Sequence, residues 1–155
     1  MIQRIAVLGF IVLLAGAMPG PAQEQSPPTA SVTARLIEAR EEGPEKTDAA
    51  LSDIEKKLKR SFNYKQFLLV GKGGKTIKQK EPARIALPKG MALETELLGI
   101  SDGRIQLSLK WTRKEGKSTK TLFNTTVRLQ PNHAVVLGGP SANGGGVLIL
   151  AVTAR

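Results

Sequence analysis

The run Gly71-Lys-Gly-Gly-Lys-Thr76 is the first place in the chain where residue types and spacing suggest chemistry. A phosphate-binding loop needs G-x-x-x-x-G-K-[ST] between a strand and a helix, so that helix N-terminal amides and the lysine cradle the phosphates. Gly74-Lys75-Thr76 supplies the end of that motif, but position 69 is Leu69, and residues 77–82 read as strand closed by Pro82. The run is therefore read as a lysine-rich hairpin turn. His133 is the only histidine and there is no cysteine. A zinc site needs several such ligands, so His133, next to Pro131-Asn132, is read as a turn residue. Ser101, Ser108, Ser118 and Ser141 stand in no G-x-S-x-G context. Glu94 and Glu96 fall on one face of an expected strand, where paired carboxylates could raise one pKa. A solvated position opposite lysines accounts for them more simply. Asn124-Thr-Thr126 matches the glycosylation sequon but lies within an expected strand rather than a loop. No catalytic, cofactor-binding or metal-binding residue is assigned, and no cofactor is expected.

Charge is the stronger signal. Nine basic residues and no acid occupy 56–80, directly after Glu38, Glu41, Glu42, Glu45, Asp48, Asp53 and Glu55. With 23 Lys+Arg against 13 Asp+Glu the net charge is +10, and zoning of this kind makes a directional electrostatic surface. The candidate basic surface is Lys56, Lys57, Lys59, Arg60, Lys72, Lys75, Lys78 and Lys80. Lys75 and Lys78 point to opposite strand faces, whereas Lys78 and Lys80 can share one. Tyr64 and Phe67 lie in the block, where aromatics could stack bases. No nucleic-acid-binding motif accompanies them, and nucleic acid is not expected. A solvated face that maintains solubility is the plainer reading, and an anionic envelope polymer or lipid headgroup is the functional one.

These residues need elements to position them. Residues 31–40 are β-branched at their start and read as a first strand. After a turn region at 41–48, Thr47 or Asp48 can cap a helix in which Leu51, Ile54 and Leu58 form one apolar stripe. Acids early and Lys57, Lys59 and Arg60 late suit the helix macrodipole. This predicts one amphipathic helix near residues 48–61, lying on a sheet. Strands are then expected at 64–70 and 75–81 about a turn at 71–74, at 83–87, at 91–100 and 104–111 about Asp102-Gly103, at 121–129 after a charged tip at 113–119, and at 134–137. A glycine-rich loop at 138–146 precedes a last strand at 147–154. The strand at 104–111 alternates strictly, with Ile105, Leu107, Leu109 and Trp111 on the buried face. The last strand is apolar on both faces and should be central. The expected fold class is mainly β (α+β), an antiparallel β-sandwich or a helix-covered sheet.

The ends bound the compartment. Arg4, the apolar run at 5–14 and a small-residue exit with Pro19 and Gly20 form a signal-peptide pattern over residues 1–22. Cleavage is expected after Ala22, and Ala17 also fits the small-residue rule. The apolar stretch is shorter than the roughly 20 residues of a spanning helix, so no transmembrane span is expected after cleavage. No cysteine follows it to carry a lipid anchor. Residues 23–30 have linker composition, and 31–155 are expected to form a single β-rich domain. Without residues 1–22, whose only charge is Arg4, 133 of the 155 residues remain and the charge falls from +10 to +9. A domain of this size can rest on its core without disulfides.

One stretch resembles a known family. Leu129-Gln-Pro-Asn-His-Ala-Val-Val-Leu-Gly-Gly-Pro140, then Gly145-Gly-Val-Leu-Ile-Leu150, is similar to the strand-turn-strand phrase in the C-terminal β-domain of bacterial secretins. Those proteins are outer-membrane channels of secretion and pilus systems. The resemblance covers residues 129–150, with Pro140 where that family continues with an apolar residue, and the chain is too short for a channel-forming barrel. It implies a bacterial envelope location, periplasmic or secreted. The function expected is a non-catalytic interaction or structural module with an envelope protein partner, accessory to a secretion or pilus-type assembly. The alternative is a binding protein for anionic envelope polymer or lipid.

Overall fold

Side chains along a strand alternate between two faces, so alternating strands sort their apolar residues into layers. The computed structural model, which describes Gly16 and residues 20–155, shows two such layers. The rest of the expected signal segment, residues 1–15 and 17–19, lies outside the described residues. One sheet contains β1 (Thr29–Arg40), β2 (Lys46–Thr47), β3 (Gln66–Lys78), β8 (Val135–Ala142) and β9 (Gly146–Ala154), in the order β2-β3-β1-β9-β8. The other contains β4 (Ala83–Ala86), β5 (Met91–Ser101), β6 (Arg104–Glu115) and β7 (Ser118–Leu129), in chain order. Among these strands the short β2–β3 pairing is parallel and the others are antiparallel, and an isolated parallel bridge joins Gln79 to Leu97. A 3₁₀ turn (Ala49–Leu51) and helix α1 (Glu55–Ser61) lie on the first sheet. Among the described residues the fold is mainly β with one α-helix, and it combines the two expected forms: a sandwich with a helix on one outer face. No helix among the described residues is long and apolar enough to cross a membrane.

Leu36, Leu148, Leu150 and Val152 face the sandwich interior, where they meet Leu93, Leu97, Leu107, Leu109 and Trp111. Ile37, Ala39, Ile149 and Ala151 face the other way, under Leu51, Ile54 and Leu58. Strands β1 and β9 are thus covered on both sides, as the apolar run of β9 implied. Burying each large aliphatic side chain contributes about 1.5–3 kcal/mol. The Asp102-Gly103 turn also forms as read. Ser101 pairs with Arg104, and both central residues take positive φ, 52° and 69°, as a two-residue hairpin turn requires.

Four local expectations are corrected. Residues 71–74 are not a turn. They continue β3, which pairs with β1 from Gln66 to Lys78 instead of folding back on itself. The glycines there permit close approach. A Cβ at Gly71 would lie 2.3 Å from Pro88 Cγ, and one at Gly73 would lie 2.7 Å from Ile85 Cγ2. Residues 138–142 likewise belong to β8, and only Asn143 to Gly145 turn the chain. The helix is shorter than 48–61: Leu51 closes a 3₁₀ turn, and α1 starts at Glu55. Asp48 does not cap it, because its carboxylate accepts from the Leu69 N–H at 3.0 Å. Finally, Thr29 and Ala30 of the expected linker already belong to β1.

Glu38 joins the two sheets. It is 8% exposed on β1, accepts from Arg40 Nε at 2.7 Å, and is reached by Lys89 Nζ, from the β4–β5 turn, at 3.0 Å. The Arg40 guanidinium, opposed by burial and assisted by Lys89, holds its carboxyl below the usual range. A depressed folded-state pKa contributes stability above the unfolded value, and that stability is lost as pH falls through the folded pKa. The contribution should therefore be intact at neutral pH and disappear as pH falls below about 4.3. Glu38→Gln is expected to lower stability by about 2 kcal/mol at pH 7. Urea titrations at both pH values should show this gap closing in acid.

Candidate basic groove

The apolar stripe of α1 fixes where its lysines go. With Leu58 buried against the first sheet, Lys56, Lys57 and Arg60 project to the sides of the helix and into solvent. The β7–β8 connection, which crosses from one sheet to the other, forms the facing wall. It turns at Pro131-Asn132, with Asn132 at φ 65°. Lys56, Lys57, Arg60, Arg128, Gln130 and His133 line the open groove between them, with a volume of about 690 Å³. Lys57 Nζ donates to the Ala134 carbonyl and ties the helix to the far wall.

A second recess of about 380 Å³ adjoins the first and shares Asp53 with it. Its floor is the part of the sheet that the helix leaves open. Ser31, Thr33, Arg35, Lys72 and Thr153 lie there, with Asn132 and Arg155 beside them. Asp53, the only carboxylate side chain among the described residues of either lining, receives two hydrogen bonds from Arg35, at 2.8 and 2.9 Å. Arg35 holds the Asp53 carboxyl below its usual range, against the opposing effect of burial. The pair neutralises itself at the centre of the groove. Among the described residues, none of Lys56, Lys57, Arg60, Arg128 and Lys72 has a carboxylate partner.

The proposed basic surface is thus divided. Lys56, Lys57 and Arg60 come together, and Lys72 lies in the adjoining recess. Lys59 lines neither recess and pairs with Glu55 at 2.8 Å, one helical turn back. Lys75 and Lys78 lie toward the far end of β3, and six residues at about 3.3 Å each separate Lys78 from Lys72. Lys80 follows the strand, at φ 65°. Its positive φ breaks the alternation that would have matched it to Lys78. Arg35, Arg128, His133 and Arg155 were missed. They lie outside the acid-free window and reach the groove through sheet pairing and the β7–β8 crossover.

The other candidates take structural places. Thr76 is mid-strand, where its hydroxyl is 3.2 Å from that of Ser31, so the glycine-lysine run leads into no helix. Glu94 lies between Arg84 and Lys110, at 3.6 and 3.5 Å. His133 is exposed in its turn, and its Nδ1–H donates to the Pro131 carbonyl at 3.1 Å in the tautomer protonated there. Asn124 is exposed on β7. Compared with known proteins, the chain matches no family model, no curated protein and no solved structure.

Proposed function

We propose that the protein is an exported, non-catalytic binding module of the bacterial envelope that holds an anionic polymer in the groove beside α1. One observation carries the reading. Lys56, Lys57, Arg60 and Arg128 converge on an open groove whose single carboxylate is already engaged by Arg35. Such a site attracts polyanions, and among the described residues its cations have no carboxylate partner to give up. Export and an envelope location rest on the pattern of residues 1–22 and on the secretin resemblance at 129–150.

Polyanion binding through four cations should weaken steeply with salt. Between about 50 and 200 mM the affinity for a dense polyanion is expected to fall roughly a hundredfold, which retention on an anionic matrix would measure. A second reading has its own support. Strand β7 is twelve residues long and, among the described residues, pairs only with β6, leaving one edge open for an added strand from an envelope protein. Docking of that kind should hardly respond to salt. Salt-independent capture of a partner would favour the accessory-module reading over the groove.

A further inference from the structure

We infer that the polymer held in the groove is an acidic carbohydrate whose negative charges stand apart, with hydroxyl groups between them. The inference rests on the reading of the groove as an anion site and adds the class of ligand. Its basis is the order of groups along the groove. Cations stand at one end, in Lys56, Lys57, Arg60 and Arg128, and again at the other, in Lys72 on β3, while Arg155 lies beside Ser31 across the β1–β9 pair. Between them the Arg35–Asp53 pair carries no net charge, and hydroxyl and amide groups predominate: Ser31, Thr33, Thr153 and Asn132. Thr33 and Thr153 are direct partners in the β1–β9 register, which places their Cβ atoms about 4.5–5.5 Å apart.

Size and shape agree with a chain ligand. The groove crosses β3, β1, β9 and β8, three interstrand spacings of about 4.8 Å each. Leu69, Val135 and Val136 add apolar patches against which the C–H faces of sugar rings can rest. Inorganic polyphosphate carries charge on every unit, and would set some of it against the neutral middle and the exposed side of Asp53. A lipid headgroup layer needs a protruding face, whereas these cations line a recess. The exposed apolar residues Leu98 and Ile100 lie on β5, outside both linings.

Calorimetric titration of the purified protein at ~0.1 M salt, where screening extends over about 10 Å, tests this. Three probes suffice: a hyaluronan hexasaccharide, with a carboxylate on every second sugar; inorganic polyphosphate; and vesicles containing an anionic phospholipid. The hexasaccharide is expected to bind. Thr33→Val with Thr153→Val should weaken it about tenfold, leaving any polyphosphate affinity unchanged. Thr33→Ser with Thr153→Ser should retain the affinity, separating loss of the hydroxyls from loss of the fold. Binding of polyphosphate or vesicles without the hexasaccharide would overturn the carbohydrate inference and leave the anion groove standing. Equal losses for hexasaccharide and polyphosphate in the valine variant would also overturn it. No binding of any probe would overturn both readings.

Discussion

Trp111→Ala is expected to destabilise the protein by about 3–5 kcal/mol, the range for removing a large aromatic side chain from a core. Trp111 is fully buried on the inward face of β6, opposite Leu93 and Phe123. Its indole lies so close to β8 that a Cβ at Gly139 would be 2.2 Å from Cζ3 and 2.3 Å from Cη2. That approach gives the expectation its internal control. Gly139→Ala alone should cost about 3 kcal/mol through overpacking. A phenylalanine at 111 ends short of Cζ3 and Cη2, leaving room for the added methyl group. Trp111→Phe with Gly139→Ala should therefore be more stable than the sum of the single changes by about 1–3 kcal/mol. Among the described residues Trp111 Nε1–H is buried without a hydrogen-bond partner, so Trp111→Phe also removes an unsatisfied donor and should cost less than Trp111→Ala. Urea titrations of the four proteins would measure the coupling. Because Trp111 is the only tryptophan, blue-shifted emission poorly quenched by iodide would report its burial directly. Additive single costs, or water-like emission from the folded protein, would contradict this packing.

Trp111 also shows which features were legible in the sequence. The alternation of β6 predicts Ile105, Leu107, Leu109 and Trp111 as one buried face, and all four are at most 3% exposed. Periodicity likewise identifies Leu51, Ile54 and Leu58 as the face that meets the sheet, although Leu51 belongs to a 3₁₀ turn. Glycine misled because it has two uses in β-structure. At Gly103 it supplies the positive φ of a hairpin, while at Gly71, Gly73 and Gly139 it admits a neighbouring side chain. Local sequence does not separate these uses, since the side chain to be admitted comes from a distant segment. The same limit applies to the groove. Lys56, Lys57 and Arg60 were visible as a run of charge, but Arg128 lies 68 positions beyond Arg60 and joins them only through the β7–β8 crossover.

Reversing the charge of Lys56, Arg60 and Arg128 to glutamate is expected to abolish retention on an anionic matrix at ~0.1 M salt, whereas reversing Lys75, Lys78 and Lys80 should change it little. Both sets exchange three cations for three anions, so they alter the net charge equally and differ only in place. A protein held by its overall charge would lose retention in both cases; one held by the groove should lose it in the first alone. The groove set avoids Lys57, whose ammonium ties α1 to the Ala134 carbonyl. The Arg128 guanidinium donates one long hydrogen bond, Nη2 to Ser101 Oγ at 3.4 Å. Lys56, Arg60 and Arg128 are exposed, and exposed changes of this kind usually shift stability by no more than about 0.5 kcal/mol each. Replacing one groove cation at a time by alanine should lower the log–log slope of affinity against salt by about 1 per residue, as each removes one ion contact. Lys75, Lys78 and Lys80 to alanine should leave that slope unchanged. If the two glutamate sets reduce retention alike, the interaction depends on net charge rather than on a site, and the groove loses its role. If neither set reduces it, the cations are solvated surface and the open edge of β7 becomes the place to look for a partner.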